Sequence, residues 1–590
     1  MTQRPPVTPP TAAQHRPLPV LIVGAGPVGL TLAVLLRQQG VEFRLVEKNT
    51  GPSQETKAIA IHSRTLEIFR AMGVAEQAVA RGFSIGRFSV QAEGKRLLDY
   101  DFSLLQSPYR TLLSLPQPET EALLLERLTA LGGQVEWNTT LTELAQDKDH
   151  TRVTLVGPDG REEHTRARWV AACDGARSTL RKLLGMTFAG AFYERFFMLA
   201  DADIQWSGSQ NEGAFFLGAA QGYLAVAPID ERSRYRLFIE MPYQLPDDER
   251  DRPALTLENF QRLCEGRGQN MTLSNLSSTT LAAFQHRRVQ KMRQGSVFLV
   301  GDSAHIGSPI GGQWMNLGIA EAYNLAWKLA FVEQGLSHPT LLDSYHEERY
   351  PVALEVENTA HRLTSLITTQ QRALVWARNH LLPLLTRGKK IQRLLPTLIS
   401  GHSYRYRPSA YIQSSLTGRQ RNRWKRKGYP HRWHGRAPEA GELAPDLPLW
   451  QAAADAPAPH LLDLFAQGHF TLLIFTATDQ FSPRLPEYRA LAASLEGDYP
   501  SLRAFCIVDA LDSTDFAPQQ RTLLDPDWRL HQRYHAAAGS LMLIRPDGYI
   551  AFQGLEPSAL VGYLQLRSGL LKNVKPTPAA AMPPLSPLPA

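Results

Sequence analysis

The chain has 590 residues, 43% hydrophobic and 20% charged, which is ordinary globular composition with length for two to four domains. No apolar run approaches the ~18 residues needed to span a bilayer, and three widely spaced cysteines (Cys173, Cys264, Cys506) fit neither a disulfide framework nor a zinc cluster. The formal charge of +7 is local: residues 417–436 hold eight Lys/Arg and no acid, and the remainder carries 55 basic against 56 acidic residues. That balance excludes a chain basic throughout, so no nucleic-acid partner is expected. The basic stretch is read as a surface linker, with an anionic cofactor, membrane or RNA contact as the alternatives.

In chain order, residues 1–17 are polar and proline-rich and lack the apolar core of a secretory signal. They predict a disordered tail on a cytoplasmic protein. PVLIVGAGPVGLTLAVLLRQQGVEFRLVEKN then reads as strand, glycine turn, helix and strand. A helix is predicted from Gln117 to Leu131, and the short apolar runs Val170–Cys173 and Val297–Val300 read as buried parallel strands. Between about 190 and 280 the pattern changes to antiparallel strands, as in AFFLGAAQGYLAVAPI and SRYRLFIEMP. Helices are expected from Asn316 to Glu333 and from Leu341 to about Leu398.

The domain reading is therefore a discontinuous Rossmann-type α/β domain (18–190 and 281–400) with an inserted antiparallel-sheet domain (191–280). A basic linker (401–440), a separate α/β domain (441–572) and a disordered tail (573–590) follow.

Gly24-Ala25-Gly26-Pro27-Val28-Gly29 matches the dinucleotide-binding pattern G-x-G-x-x-G, between a strand and a helix, with Glu47 at the end of the next strand. Gly24 makes the tight turn, Gly26 admits a pyrophosphate against the backbone, and Gly29 allows close helix–strand packing. An acid at the position of Glu47 suits ribose hydroxyls. Two further strand-end motifs, Asp174-Gly175 in ACDGARSTLRK and Gly301-Asp302 in FLVGDSAH, turn the reading away from a nicotinamide dehydrogenase. The second runs into GSPIGGQWMNLGI, where a helix N-terminus near Asn316 would point free N–H groups at a ligand.

With these motifs in this order, the chain from about Val20 to Leu571 resembles the group A flavoprotein aromatic hydroxylases. It looks closest to the subset with a C-terminal thioredoxin-like domain, the phenol, hydroxyphenylpropionate and polyketide hydroxylases. The resemblance implies non-covalent FAD, with Asp302 on the ribityl chain, Glu47 and its neighbour Lys48 at the adenosine ribose, and Asp174 near the pyrophosphate. Gln117 matches the family's flavin-contacting glutamine. Pro309, Gly312, Gln313, Trp314, Met315 and Asn316 would form the loop over the isoalloxazine ring. Lys57 stands where the family usually has arginine, which replaces a bidentate fork with a point charge. Trp314 stands where most members have glycine, and its indole is expected at the flavin edge or pocket mouth, or else packed outward against helices.

The resemblance further implies NAD(P)H as transient reductant, dioxygen as co-substrate, a flavin C4a-hydroperoxide, and hydroxylation of a phenolic or other electron-rich aromatic substrate. Baeyer–Villiger oxygenation or epoxidation of a polyketide, and a redox-silent binding scaffold, are the alternatives. Phe216 and Tyr223 are the candidate substrate contacts, His305 is read as packing beneath the loop, and no metal is expected. In the C-terminal region Thr476-Ala477-Thr478-Asp479 occupies the place of a redox motif without a thiol pair, so that domain is read as structural or as a homodimer contact.

Overall fold

The computed structural model describes residues 17–53, 58–208, 211–218, 222–267, 269–308, 311–369, 371–416, 436–450, 459–476, 484–508 and 521–572. Lys57, Pro309, residues 417–435 of the basic stretch, 477–479 and the expected tails at 1–16 and 573–590 lie outside them.

The first sheet is built on the strand Leu18–Val23, whose LPVLIV sequence is buried along its C-terminal half. Phe43–Val46 pairs with it on one side and Glu162–Ala172 on the other, both parallel, and Val297–Leu299 adds in parallel beyond the latter. Val23 is level with Val46 and Ala172, and Ala172 with Leu299. The four strands thus end at one edge, and the turns following them open on the same side. Two helices pack together on this sheet, Pro27–Gln38 and Trp314–Glu333. The second is apolar on nearly all sides because it lies between the sheet and the C-terminal region.

The second sheet has eight strands, in the order 305–306, 272–288, 189–205, 234–241, 222–228, 212–218, 87–92 and 95–101. Here the expected boundary is corrected. Strands Arg87–Ala92 and Lys95–Asp101 come from the segment assigned to the first domain, yet the former pairs in parallel with Glu212–Gly218. The sheet is therefore assembled from three separated stretches of chain. One face carries Phe88, Phe197 and Tyr223 toward Ile59 and Ala60, and the other packs Phe216 and Leu224 against Phe260 and Cys264.

The third sheet runs 413–414, 550–554, 540–544, 470–475, 502–508 and 522–524. Phe470–Phe475 pairs parallel with Leu502–Val508 and antiparallel with Ser540–Ile544, which forms a hairpin with Ile550–Gly554. Gly548 takes φ of +81° in that turn, a conformation open to glycine at low cost. This sheet shares its core with the first domain, because Trp327, Phe331 and Leu341 pack among Phe470, Leu543 and Phe552. A buried charge cluster closes the same junction. Glu348 receives Lys328 Nζ at 2.7 Å and Arg545 Nη1 at 2.6 Å, and Arg545 also donates to Asp547 at 2.6 Å.

Candidate cofactor and substrate site

Three strand-end loops meet at the common edge. Gly24 has φ of +105°, and a Cβ there would fall 2.3 Å from the carbonyl oxygen of Cys173. One added to Gly29 would fall 1.9 Å from the Gly24 oxygen, so both glycines are required by the protein's own backbone. Gly26 differs: its φ is −74°, and nothing lies within 4 Å of the place a Cβ would take. The helix that starts at Pro27 has no side-chain cap, which leaves its first-turn N–H groups facing that open ground.

Glu47 binds this turn. Its Oε2 accepts the Ala25 N–H at 2.9 Å and its Oε1 the Asn49 N–H at 3.0 Å, while Lys48 beside it is exposed. Asp174 has two duties. One oxygen, Oδ2, accepts from Thr179 N at 2.7 Å and Leu180 N at 3.2 Å, and caps the short helix behind it. The other, Oδ1, is buried without a hydrogen-bond partner, and burial raises this carboxyl above the usual range despite the bonds on its partner oxygen. Arg181 ties this loop to the next by donating to the Ser303 carbonyl at 2.9 Å.

Gly301 adopts φ of +64° against Val28, and Asp302 next to it is exposed on the open side. The loop is held from below by Glu321, a buried carboxylate that sequence reasoning missed. Its Oε2 accepts the Gly301 N–H at 2.8 Å and its Oε1 meets His305 Nε2 at 2.7 Å. His305 is buried as expected, but packing alone does not describe it. Burial disfavours its charged form, and the contact with Glu321 outweighs this and raises its pKa above the ordinary histidine value. A glutamate within an apolar helix gave no periodic signal to find.

The helix expected near Asn316 begins at Trp314, so Gln313 is its N-cap, with no side-chain cap bond. The N–H groups of Trp314, Met315 and Asn316 thus form a second uncapped helix start. Asn316 bridges the loop to the segment before the helix Ser63–Met72: its Oδ1 accepts from His62 N at 2.9 Å, and its Nδ2 donates to Ala60 O at 2.8 Å and Gly312 O at 2.7 Å. His62 was missed as well. Its ring is fully buried and its pKa pushed down to about 4, so it is neutral and donates from Nε2 to the Gly311 carbonyl at 2.8 Å. Gln117 reaches the same neighbourhood through its backbone N–H, bonded to Ala58 O at 2.9 Å, while its side-chain amide donates to Glu121.

Trp314 is not among the positive-φ residues. Its indole N–H donates to the Ser308 carbonyl at 2.7 Å, its ring lies 5.5 Å from that of His305, and it packs against Leu317, Val352 and Val356. A Cβ on Gly307 would sit 2.0 Å from the indole, so the glycine makes room for the tryptophan. Of the two expectations for the indole, these contacts match packing against helices. Phe216 is corrected, since it faces the helix Leu257–Gly266 beneath the sheet. Tyr223 keeps the face that looks toward Ala60, beside Phe197 and Phe215. A cavity behind the loop, between His62, Gln313, Arg349 and Tyr549, measures about 30 Å³, room for water but not for an aromatic ring.

Residues 17–360 match the family described as FAD binding domain. Over 559 residues, 91% of this chain and 90% of the relative, the sequence is 30% identical to 6-methylpretetramide 4-monooxygenase of Streptomyces rimosus. It is 29% identical over 554 residues to pentachlorophenol 4-monooxygenase of Sphingobium chlorophenolicum, covering 90% and 96% of the two chains. Among solved structures, the anhydrotetracycline hydroxylase OxyS of Streptomyces rimosus superposes with a TM-score of 0.68 at 26% identity, covering 94% of this chain and 99% of that one. Aklavinone-11 hydroxylase in a ternary complex with FAD and aklavinone gives 0.68 at 25% identity, covering 93% and 98%. The glycine turn, the strand-end loops and these relatives agree: the chain belongs to the FAD binding domain family, as a flavin-dependent aromatic monooxygenase.

Proposed function

We propose that the protein hydroxylates a phenolic or polyketide-like aromatic ring, with NAD(P)H as reductant and dioxygen as oxygen donor. The observation that carries this is the placement of two uncapped helix starts, at Pro27 and Trp314, around one open edge whose far wall is the aromatic sheet face bearing Tyr223. The first would hold the FAD pyrophosphate at Gly26, Glu47 the ribose, and Asp302 the ribityl chain. The second would direct the Trp314, Met315 and Asn316 N–H groups at the negative side of the reduced ring. When bound, the flavin supplies the redox and oxygen-activating chemistry. The chain's own work is to orient the substrate ring between loop and sheet and to exclude water there. Relatives that act on pentachlorophenol and on tetracycline precursors support an electron-rich aromatic substrate.

The same proposal gives the C-terminal region a thioredoxin-like fold, supported by its strand order of 502–508, 470–475, 540–544 and 550–554. The test is substrate-stimulated NAD(P)H oxidation across phenols and polycyclic phenols, with mass detection of one oxygen atom in the product and its position. Lactone or epoxide products would replace hydroxylation with a different oxygenation. An Asp302→Ala variant should weaken FAD binding by about 0.5–3 kcal/mol, the range for one lost hydrogen bond. Unchanged FAD affinity there would remove Asp302 from the site.

A further inference from the structure

The helices Arg372–Leu385 and Lys389–Ile399 are apolar on two faces. Inward, Leu382, Leu395 and Ile399 pack on the aromatic side of the second sheet. Outward, Leu374, Trp376, Leu384 and Leu385 on the first helix are 52–62% exposed, and Leu394 on the second is 52% exposed. A globular protein scatters single exposed apolar residues, but a concentration of this kind marks a contact surface. The charge pattern of the same surface is one-sided. Arg372, Arg387, Lys389, Lys390 and Arg393 are exposed around it, and no Asp or Glu occurs anywhere from residue 358 to 438.

We propose that this helical pair docks on an anionic lipid surface, with its leucines and Trp376 entering the interface and its cations at the headgroups. Exposed Leu and Trp beside Lys and Arg are the composition of an interfacial helix that lies on a bilayer without crossing it. Among the described residues, no helix is long and apolar enough to cross one. A second copy of this chain is a poorer occupant, because a two-fold contact would press one predominantly cationic face, with Glu93 at its border on Asn379, against itself. Nucleic acid would match the charge and leave the leucines exposed. The pair packs on the same sheet face that carries Tyr223, over the strand Lys95–Asp101, so docking would bring the substrate side of the molecule to the lipid.

The experiment is sedimentation of the FAD-loaded protein with vesicles of pure phosphatidylcholine and with vesicles containing phosphatidylglycerol. Binding to the anionic vesicles alone, weakened by salt, is expected. Lys389→Gln and Lys390→Gln should each lower partitioning about fivefold, equivalent to ~1 kcal/mol per cation near the surface. Leu384→Ser with Leu385→Ser should abolish it at unchanged flavin content and melting temperature, since both side chains are exposed. Equal recovery with both lipids, or no recovery from either, would overturn the proposal. So would a dimer that the leucine variant breaks, which assigns the face to a second copy, or heparin binding that the leucine variant leaves intact, which assigns it to nucleic acid.

Discussion

At the scale of single residues, Gly26 and Gly29 separate two demands that the glycine pattern fuses. Gly29 is fixed by the protein, because its Cβ would overlap the Gly24 carbonyl, whereas Gly26 faces empty space and has a backbone conformation any residue can adopt. Gly29→Ala should therefore lower the stability of the apoprotein by about 1–3 kcal/mol, as overpacking does. Gly26→Ala should leave apoprotein melting unchanged and lose FAD affinity. Melting curves of both apoproteins and flavin titrations check this; a destabilised Gly26→Ala apoprotein would break the distinction. For Trp314, replacement by Phe keeps most of the ring and deletes the N–H bond to Ser308, a cost of about 1 kcal/mol. FAD retention and substrate size range should stay as in the parent, measured by flavin content and a series of ring sizes. The glycine turn was legible in sequence because it answers to local sterics. The direction of the indole was not, since it depends on Gly307 and on a helix met only after folding.

At the scale of elements, legibility fell with the separation of the partners. Alternation located the strands near 214–229 and 233–242 but could not choose between Phe216 and Tyr223, because a face is assigned by what packs on it. Strand Arg87–Ala92 joined a sheet whose neighbour lies more than a hundred residues onward, and nothing local announced that pairing. The charge cluster was equally silent, since nothing local marks Lys328, Glu348 and Arg545 for burial, yet they are 0–3% exposed. Burial pushes the Glu348 pKa up, and Arg545 with Lys328 overcomes this to hold it at about 2, below its ordinary 4.5. A depressed carboxylate contributes stability that is complete above about pH 4.5 and drains away as pH falls toward 2. Acid unfolding followed by fluorescence should thus begin in that window, and Glu348→Gln should flatten it. Arg545→Met leaves Glu348 and Asp547 short of a counter-charge, and a loss of about 3–5 kcal/mol is expected in denaturant melts. A loss below 1 kcal/mol would show the cluster to be dispensable.

At the scale of the whole molecule, the C-terminal region is part of the first domain's wall. Arg64 donates to the Asp547 carbonyl at 2.7 Å and Tyr323 to the Pro546 carbonyl at 2.8 Å, so the 545–549 turn braces the helices Ser63–Met72 and Trp314–Glu333. Its cysteine has no such part: Cys506 is buried in a strand, and burial raises its pKa to about 11. Cys506→Ser should leave NAD(P)H oxidation intact, and lost turnover with retained circular dichroism would instead give the thiol a redox role. The shared core also sets an order of events during synthesis. Trp327 and Phe331 emerge long before Leu541, Leu543 and Phe552, their partners. At ~5–20 residues per second the ribosome leaves that helix uncovered for on the order of tens of seconds. The packing of that helix is therefore completed only after residues 541–552 have emerged, and until then a nascent chain carries Trp327 and Phe331 without their partners.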